Sequence, residues 1–311
     1  MRALLVVAAV LAFPAAAHAG VVGLEGTQIV FRAEPGERLE LRADGSVSDI
    51  QYFHAEGVRP GPGCERVEDD EVSCRPDGVT GVTIFGGDQA DRVSTRVPLP
   101  LTLALGAGND DFSVVGATVT VDAGPGNDVG GVAGSRVSIV GGEGDDTLSL
   151  ERSGRTVGPF VLDGGAGDDD LSLPSTEMVR SGPLAPVSIT CGDGADRWSA
   201  GPRDVLGEGC AAHVAGITAK TVSRAFQEGA LTAPASGSIA FKRRSGASRT
   251  PGATIARGVF TAQPGPLRVS LERTAAGTRW LRRTPHLPVF VTIRTRTGDD
   301  RGVVTFRSKV G

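Results

Sequence analysis

Aspartate and glycine recur together along the 311-residue chain in a fixed frame. Six segments align: GGDQADRVS (86–94), LGAGNDDFS (105–113), AGPGNDVGG (123–131), GGEGDDTLS (141–149), GGAGDDDLS (164–172) and CGDGADRWS (191–199). The shared form is G-G-x-G-x-D-x-U-x, with U apolar, and the sixth place is always aspartate: Asp91, Asp110, Asp128, Asp146, Asp169 and Asp196. Asn109, Asn127, Asp145 and Asp168 occupy the fifth place. Glycine fills the other positions of the frame at Gly106, Gly108, Gly124, Gly126, Gly141, Gly142, Gly144, Gly164, Gly165, Gly167, Gly192 and Gly194. Glycine admits the φ > 0 conformations of a tight turn and leaves backbone carbonyls bare. Carbonyls and carboxylates together make the hard oxygen set that Ca²⁺ takes, with six to eight ligands at loose geometry.

The aspartates are spaced 19, 18, 18, 23 and 27 residues apart. A near-constant interval of this length reads as one repeat per coil of a stacked architecture. Stacking at roughly the 4.8 Å strand spacing would bring like charges together, which is unfavourable without a cation between them. The segments resemble the RTX, or haemolysin-type, calcium-binding nonapeptides, and the resemblance covers about 115 residues. It implies a parallel β-helix or β-roll whose glycine turns bind Ca²⁺ between successive coils. Six turns then give at most five sites, best formed among the turns at 105–110, 123–128, 141–146 and 164–169. Gln89 replaces the central glycine of the first turn, so that site is expected to be weak or absent. Val129-Gly130-Gly131 is poorly apolar, so its coil is expected to be loose.

The elements that must hold these turns are short strands. One set follows each aspartate, at Val93-Ser94, Phe112-Ser113, Leu148-Ser149 and Leu171-Ser172. The other precedes each turn, at Leu101–Leu103, Val119–Val121, Val137–Val140, Phe160–Leu162 and Val187–Thr190. The Gly/Asp motif stands only on alternate half-coils, which puts the calcium row along one edge. The longer intervals are expected to loop out near Arg152–Pro159 and Ser175–Pro186. The central coils are expected to order on binding Ca²⁺.

The expected fold is therefore all-β. A parallel β-helix or β-roll solenoid spans 86–210, preceded by an N-terminal β cap over 20–85. A linker over 211–235 leads to a small C-terminal β-sandwich-like module over 236–311. That module is expected to carry strands at Ser238–Lys242, Leu267–Leu271, Val289–Arg296 and Val303–Arg307, with a short helix at Thr274–Arg283.

Residues 1–19 read as a cleaved secretory signal peptide. Met1-Arg2 starts it, Leu4 to Phe13 is apolar, and Ala17-His18-Ala19 is a small-x-small cleavage site. No other stretch is long and apolar enough to cross a bilayer. Export favours disulfides among the four cysteines, most simply as the local pairs Cys64 with Cys74 and Cys191 with Cys210. A layout of N-terminal strands, a Cys-Cys loop and then glycine turns is similar to that of secreted RTX-repeat proteins of high-GC Gram-positive bacteria.

Charge is divided along the chain. Residues 86–200 hold 17 Asp/Glu against 7 Lys/Arg, and residues 211–311 hold 4 against 17. An acidic middle and a basic tail suit different partners. The basic module would suit an anionic cell-wall polymer or a membrane surface, and otherwise reads as a basic soluble surface or a face that docks on the acidic repeats. It lacks the aromatic-basic interleaving of nucleic-acid binders, so no specific nucleic acid is expected. Neither HExxH nor GxSxG is present, and His54, His213 and His286 have no metal spacing. The expectation is a non-catalytic, secreted, calcium-binding repeat protein with a structural, adhesive or cell-surface role. The alternative is a calcium-dependent polysaccharide lyase on a parallel β-helix, with Arg136, Arg152 or Arg155 as its basic residue.

Overall fold

In the computed structural model the described residues are 20–45, 51–75, 77–152, 157–173, 185–201, 203–210, 214–215, 226–231, 235–244, 251–283 and 287–310. The expected signal segment 1–19, Arg155 and most of the two expected loops lie outside them. The chain is all-β, with a single helix among the described residues at Ala275–Arg283.

Apolar residues alternate with polar ones between the glycine turns, and this period of two makes strands. The strands pair in two parallel ladders. The first runs through Gln28–Ala33, Gly81–Gly87, Leu101–Gly106, the second halves of Asp111–Pro125 and Val129–Glu143, then Phe160–Ala166, Val187–Asp193 and Val205–Leu206. The second runs through Glu40–Asp44, Arg92–Arg96, the first halves of those two long strands, Thr147–Arg152, Asp170–Ser172 and Arg197–Ala200. Register follows the aspartate interval: Leu101 pairs with Val119, Val119 with Val137, Val137 with Phe160 and Phe160 with Val187.

The inward residues of both ladders form one core. Leu101, Leu103, Val121, Ile139, Leu162 and Ile189 line it from the first ladder, and Phe112, Val114, Leu148, Leu150, Leu171 and Trp198 from the second. The Val129-Gly130-Gly131 segment, expected to be loose, is filled from its neighbour. A Cβ at Gly130 would lie 2.2 Å from the Phe112 ring, so that ring occupies the space a side chain would have taken. Arg152 ends the Leu148 row, 6% exposed, and binds Asp204 Oδ1 at 3.0 Å and the Ala185 carbonyl at 3.1 Å.

The N-terminal strands extend both ladders at one end, as the pairings of Gln28–Ala33 and Glu40–Asp44 show. At the other end the C-terminal region, expected as a sandwich-like module, joins the stack. Ala235–Arg244, Pro251–Ala262, Leu287–Thr297 and Asp300–Val310 form an antiparallel sheet. Its strand Asp300–Val310 then pairs in parallel with Arg197–Ala200, continuing the second ladder. Pro251–Ala262 is a strand without a clear sequence pattern, because Pro251, Gly252 and Gly258 weaken its strand character. Within the expected linker, Val214–Ala215 and Phe226–Leu231 are strands of a separate three-stranded sheet with Gly265–Ser270. The helix is capped by Thr274, whose Oγ1 accepts the Gly277 amide at 2.9 Å.

Candidate functional site

Each Gly/Asp segment turns the chain from the first ladder to the second. From the second turn onward the second- and fourth-place glycines have positive φ, as at Gly124 (+100°), Gly126 (+149°), Gly142 (+129°) and Gly144 (+122°). Space forbids a side chain there as well. A Cβ at Gly124 would come 2.0 Å from the Gly106 carbonyl oxygen, and one at Gly126 would come 1.7 Å from that of Gly108. Backbone thus lies directly on backbone from turn to turn, with carbonyl oxygens in rows. Gly165, Gly167, Gly192 and Gly194 repeat the arrangement.

All six sixth-place aspartates turn inward, and none is more than 2% exposed. One carboxylate oxygen of each is spoken for. Asp110 Oδ1 accepts the Asp91 amide at 2.7 Å, and Asp128, Asp146, Asp169 and Asp196 accept the preceding aspartate's amide at 2.8, 2.8, 2.9 and 3.0 Å. The other oxygen, Oδ2, is buried without a hydrogen-bond partner in Asp110, Asp128, Asp146, Asp169 and Asp196. At Asp146 and Asp169 the surroundings of Oδ2 are defined by the first-place glycine. Asp146 Oδ2 and the Gly164 carbonyl oxygen lie within 2.2 and 2.3 Å of the single point a Gly141 Cβ would occupy. Asp169 Oδ2 and the Cys191 carbonyl oxygen likewise lie 2.2 and 2.8 Å from the corresponding point at Gly164. Acceptor faces acceptor in a space with no donor. Burying such groups unpaired is costly, and a proton, a water donor or a cation between them would relieve that cost.

The first turn differs. Asp91 Oδ2 accepts the Gly87 amide at 3.0 Å and its Oδ1 accepts that of Leu39 at 2.8 Å. Both oxygens of Asp91 therefore have a backbone donor, unlike those of the later aspartates.

The fifth-place residues are at the rim rather than inside. Asn109, Asn127, Asp145 and Asp168 are exposed, and they form a second ladder of opposite direction. Asn109 Oδ1 accepts the Asn127 amide at 2.9 Å, Asn127 Oδ1 that of Asp145 at 3.1 Å, Asp145 Oδ1 that of Asp168 at 2.8 Å, and Asp168 Oδ1 that of Ala195 at 2.8 Å. The inner and outer residues of each Asp pair therefore do different work, which the sequence alone did not separate.

Burial pushes the carboxyl of Asp110 up to about 7, Asp146 up to about 6 and Asp169 up to about 7. The accepted amide bond pulls each down, and neighbouring carboxylates raise it further. Asp91, Asp128 and Asp196 are raised for the same leading reason. Among the described residues no three His, Cys, Asp or Glu side chains converge, so any cation held here must draw most of its ligands from backbone carbonyls. That composition matches a hard cation such as Ca²⁺ and not a soft one.

The disulfides Cys64–Cys74 and Cys191–Cys210 are both formed. The second ties the last repeat turn to a closing segment in which the Cys191 amide bonds the Glu208 carbonyl at 3.0 Å. Of the lyase candidates, Arg152 is locked in its ion pair with Asp204, and Arg136 Nε donates to the Gly158 carbonyl at 3.2 Å. Where the C-terminal sheet joins the second ladder, a cleft of about 490 Å³ is lined by Arg197, Arg294, Arg296 and Arg301. Asp170, Arg197, Arg301 and Arg296 are successive cross-strand neighbours along one row, so three exposed arginines stand side by side.

Sequence reasoning missed Asp300. It stands in Gly298-Asp299-Asp300, the turn of the hairpin between Leu287–Thr297 and Asp300–Val310. The signal was there, since the tripeptide repeats Gly144-Asp145-Asp146 and Gly167-Asp168-Asp169. Comparison of the chain with family models, curated proteins and solved structures finds no match.

Proposed function

We propose that the chain is a secreted, non-catalytic calcium-binding repeat protein, with Ca²⁺ held between successive Gly/Asp turns. The two parallel ladders are read as the two faces of a parallel β-helix of the β-roll kind, and the Gly/Asp turns as its calcium edge. The observation that carries the reading is the row of five buried carboxylate oxygens, Oδ2 of Asp110, Asp128, Asp146, Asp169 and Asp196, that lack any donor. Carbonyl oxygens stacked in the same turns complete an all-oxygen set. Bound Ca²⁺ would neutralise the row; the chain supplies the ligands and the fixed spacing. Two disulfides, and no described helix long and apolar enough to cross a membrane, fit an oxidising compartment outside the cytoplasm.

The role is structural or adhesive at a cell surface. The arginine row at Arg197, Arg301 and Arg296 supports an anionic cell-wall polymer as the partner, because like charges side by side are stabilised by an anion laid across them. The decisive experiment is calcium titration of the mature protein, followed by calorimetry and circular dichroism from chelator to millimolar Ca²⁺. Binding with a gain in strand signal or thermal stability is expected. Replacing Asp128, Asp146 and Asp169 together by Ala should abolish that gain. A wild-type protein that binds no Ca²⁺, or a triple variant that binds undiminished, overturns the assignment.

A further inference from the structure

The last repeat turn does not end the carboxylate row. Asp300 Oδ1 accepts the Asp196 amide at 3.3 Å, as Asp196 Oδ1 accepts that of Asp169. The Arg301 amide donates to the Asp196 carbonyl at 2.8 Å, as the Arg197 amide donates to that of Asp169 at 2.7 Å. Arg301 pairs with Arg197 and Gly302 with Trp198, in parallel register. The Trp198 ring covers Gly302, whose Cβ would come within 2.1 Å of it, just as the Phe112 ring covers Gly130. The inner-row amide bond, the strand register and the ring-over-glycine contact of a next turn are present, yet they come from a strand 104 residues further along the chain.

The two ends of the stack are closed differently. At the first end Leu39 takes the equivalent place: its amide donates to Asp91 Oδ1 and its carbonyl accepts the Arg92 amide, but it brings no carboxylate. At the last end the protein places an acid. The outer ladder stops there, because Ala195 has no side-chain acceptor for a further amide. Only the inner aspartate row continues across the junction. Asp196, 0% exposed, keeps Oδ2 without a partner in the turn on which Asp300 rests. A buried, unpartnered carboxylate oxygen beneath a second carboxylate calls for a positive charge at the junction itself.

We propose that the Gly298–Asp300 turn lends a seventh aspartate to the inner row, and that a divalent cation bound between Asp196 and Asp300 latches the C-terminal sheet onto the end of the repeats. The latch rests on the calcium reading of the repeats. Its consequence is that cation concentration controls whether the arginine cleft, built from both sides of the junction, is assembled. Arg197 belongs to the repeats while Arg294, Arg296 and Arg301 belong to the C-terminal sheet, so loss of the cation would separate the charges that form the cleft.

The test compares full-length mature wild type with Asp300→Asn and Asp300→Ala. Asparagine keeps the oxygen that accepts the Asp196 amide and removes only the charge; alanine removes both. Calcium stoichiometry is read by equilibrium dialysis, and docking by hydrogen exchange at the amides of 301–304. Wild type should show calcium-dependent protection there, rising roughly tenfold when free Ca²⁺ is ten times Kd. Asp300→Asn should bind one ion fewer per chain and lose that protection, while calcium-dependent protection at 110–170 is kept. If wild type binds no Ca²⁺, it is the functional reading that fails. If wild type binds Ca²⁺ but Asp300→Asn keeps full stoichiometry and full protection, the latch is refuted. Undocking by Asp300→Ala alone also refutes it, since a hydrogen bond would then hold the sheet.

Discussion

Replacing Asp146 by Asn should change stability in opposite directions with and without calcium. The substitution is nearly isosteric. Its Oδ1 can still accept the Asp128 amide, held at 2.8 Å in the native turn. In place of the unpartnered Oδ2 it puts an NH₂ group, which faces the Gly164 carbonyl oxygen and can donate to it. In cation-free protein the Asp146 carboxyl is raised from 3.8 to about 6, chiefly by burial. A raised acid favours folding only while protonated: its contribution is full below pH 3.8 and is lost as pH rises through about 6. A shift of about two units at 1.36 kcal/mol each makes ionised Asp146 about 3 kcal/mol unfavourable at pH 8. In chelator, Asp146→Asn should therefore stabilise the protein by about 3 kcal/mol at pH 8 and by almost nothing below pH 4. In millimolar Ca²⁺ the same change should destabilise, because a charged ligand is gone. Urea denaturation at both pH values, with chelator and with Ca²⁺, supplies the four stabilities. The reasoning is refuted if the variant is less stable in chelator at pH 8, or if calcium stabilises wild type and variant equally.

Calcium-free wild type should melt at higher temperature as pH falls from 8 to 5, because Asp110, Asp146 and Asp169 take up protons through about 6 to 7; calcium affinity measured by calorimetry should fall over the same range. Asp91→Asn should leave calcium stoichiometry unchanged and cost only about 1 kcal/mol in denaturant melts, since it loses just the bond from the Gly87 amide. Gly124→Ala should cost about 3 kcal/mol or more, because φ is +100° and the new Cβ would collide with the Gly106 carbonyl; hydrogen exchange should show the loss centred on 106–142. Arg152→Met should cost about 3–5 kcal/mol in thermal or urea unfolding, because it leaves Asp204, 1% exposed, without its counter-charge.

What the amino-acid sequence determined on its own is the local geometry and the period. Glycines at the second and fourth places are legible because only glycine tolerates both the positive φ and the backbone contact those places require. Spacings of 18, 23 and 27 residues carried over directly into strand register, since each aspartate amide bonds to the next aspartate one repeat later. The alternation of apolar residues between turns placed both sets of strands, because a period of two has one reading on a half-buried strand. Direction of the side chains was decided only by the tertiary structure. Asp145 and Asp146 are adjacent and chemically identical, yet one lies at the rim bonded to backbone and the other is buried with an empty oxygen. Gly130 reads as a weakness until the Phe112 ring of the neighbouring strand is seen to cover it. Arg152 reads as a candidate basic residue of a lyase until Asp204 meets it across 52 residues. Asp300 joins the row from 104 residues away, where no repeat interval points. Each of these depends on which strand lies beside which and on which face a side chain takes; the last two join residues 52 and 104 apart, separations that leave no periodic trace in the chain.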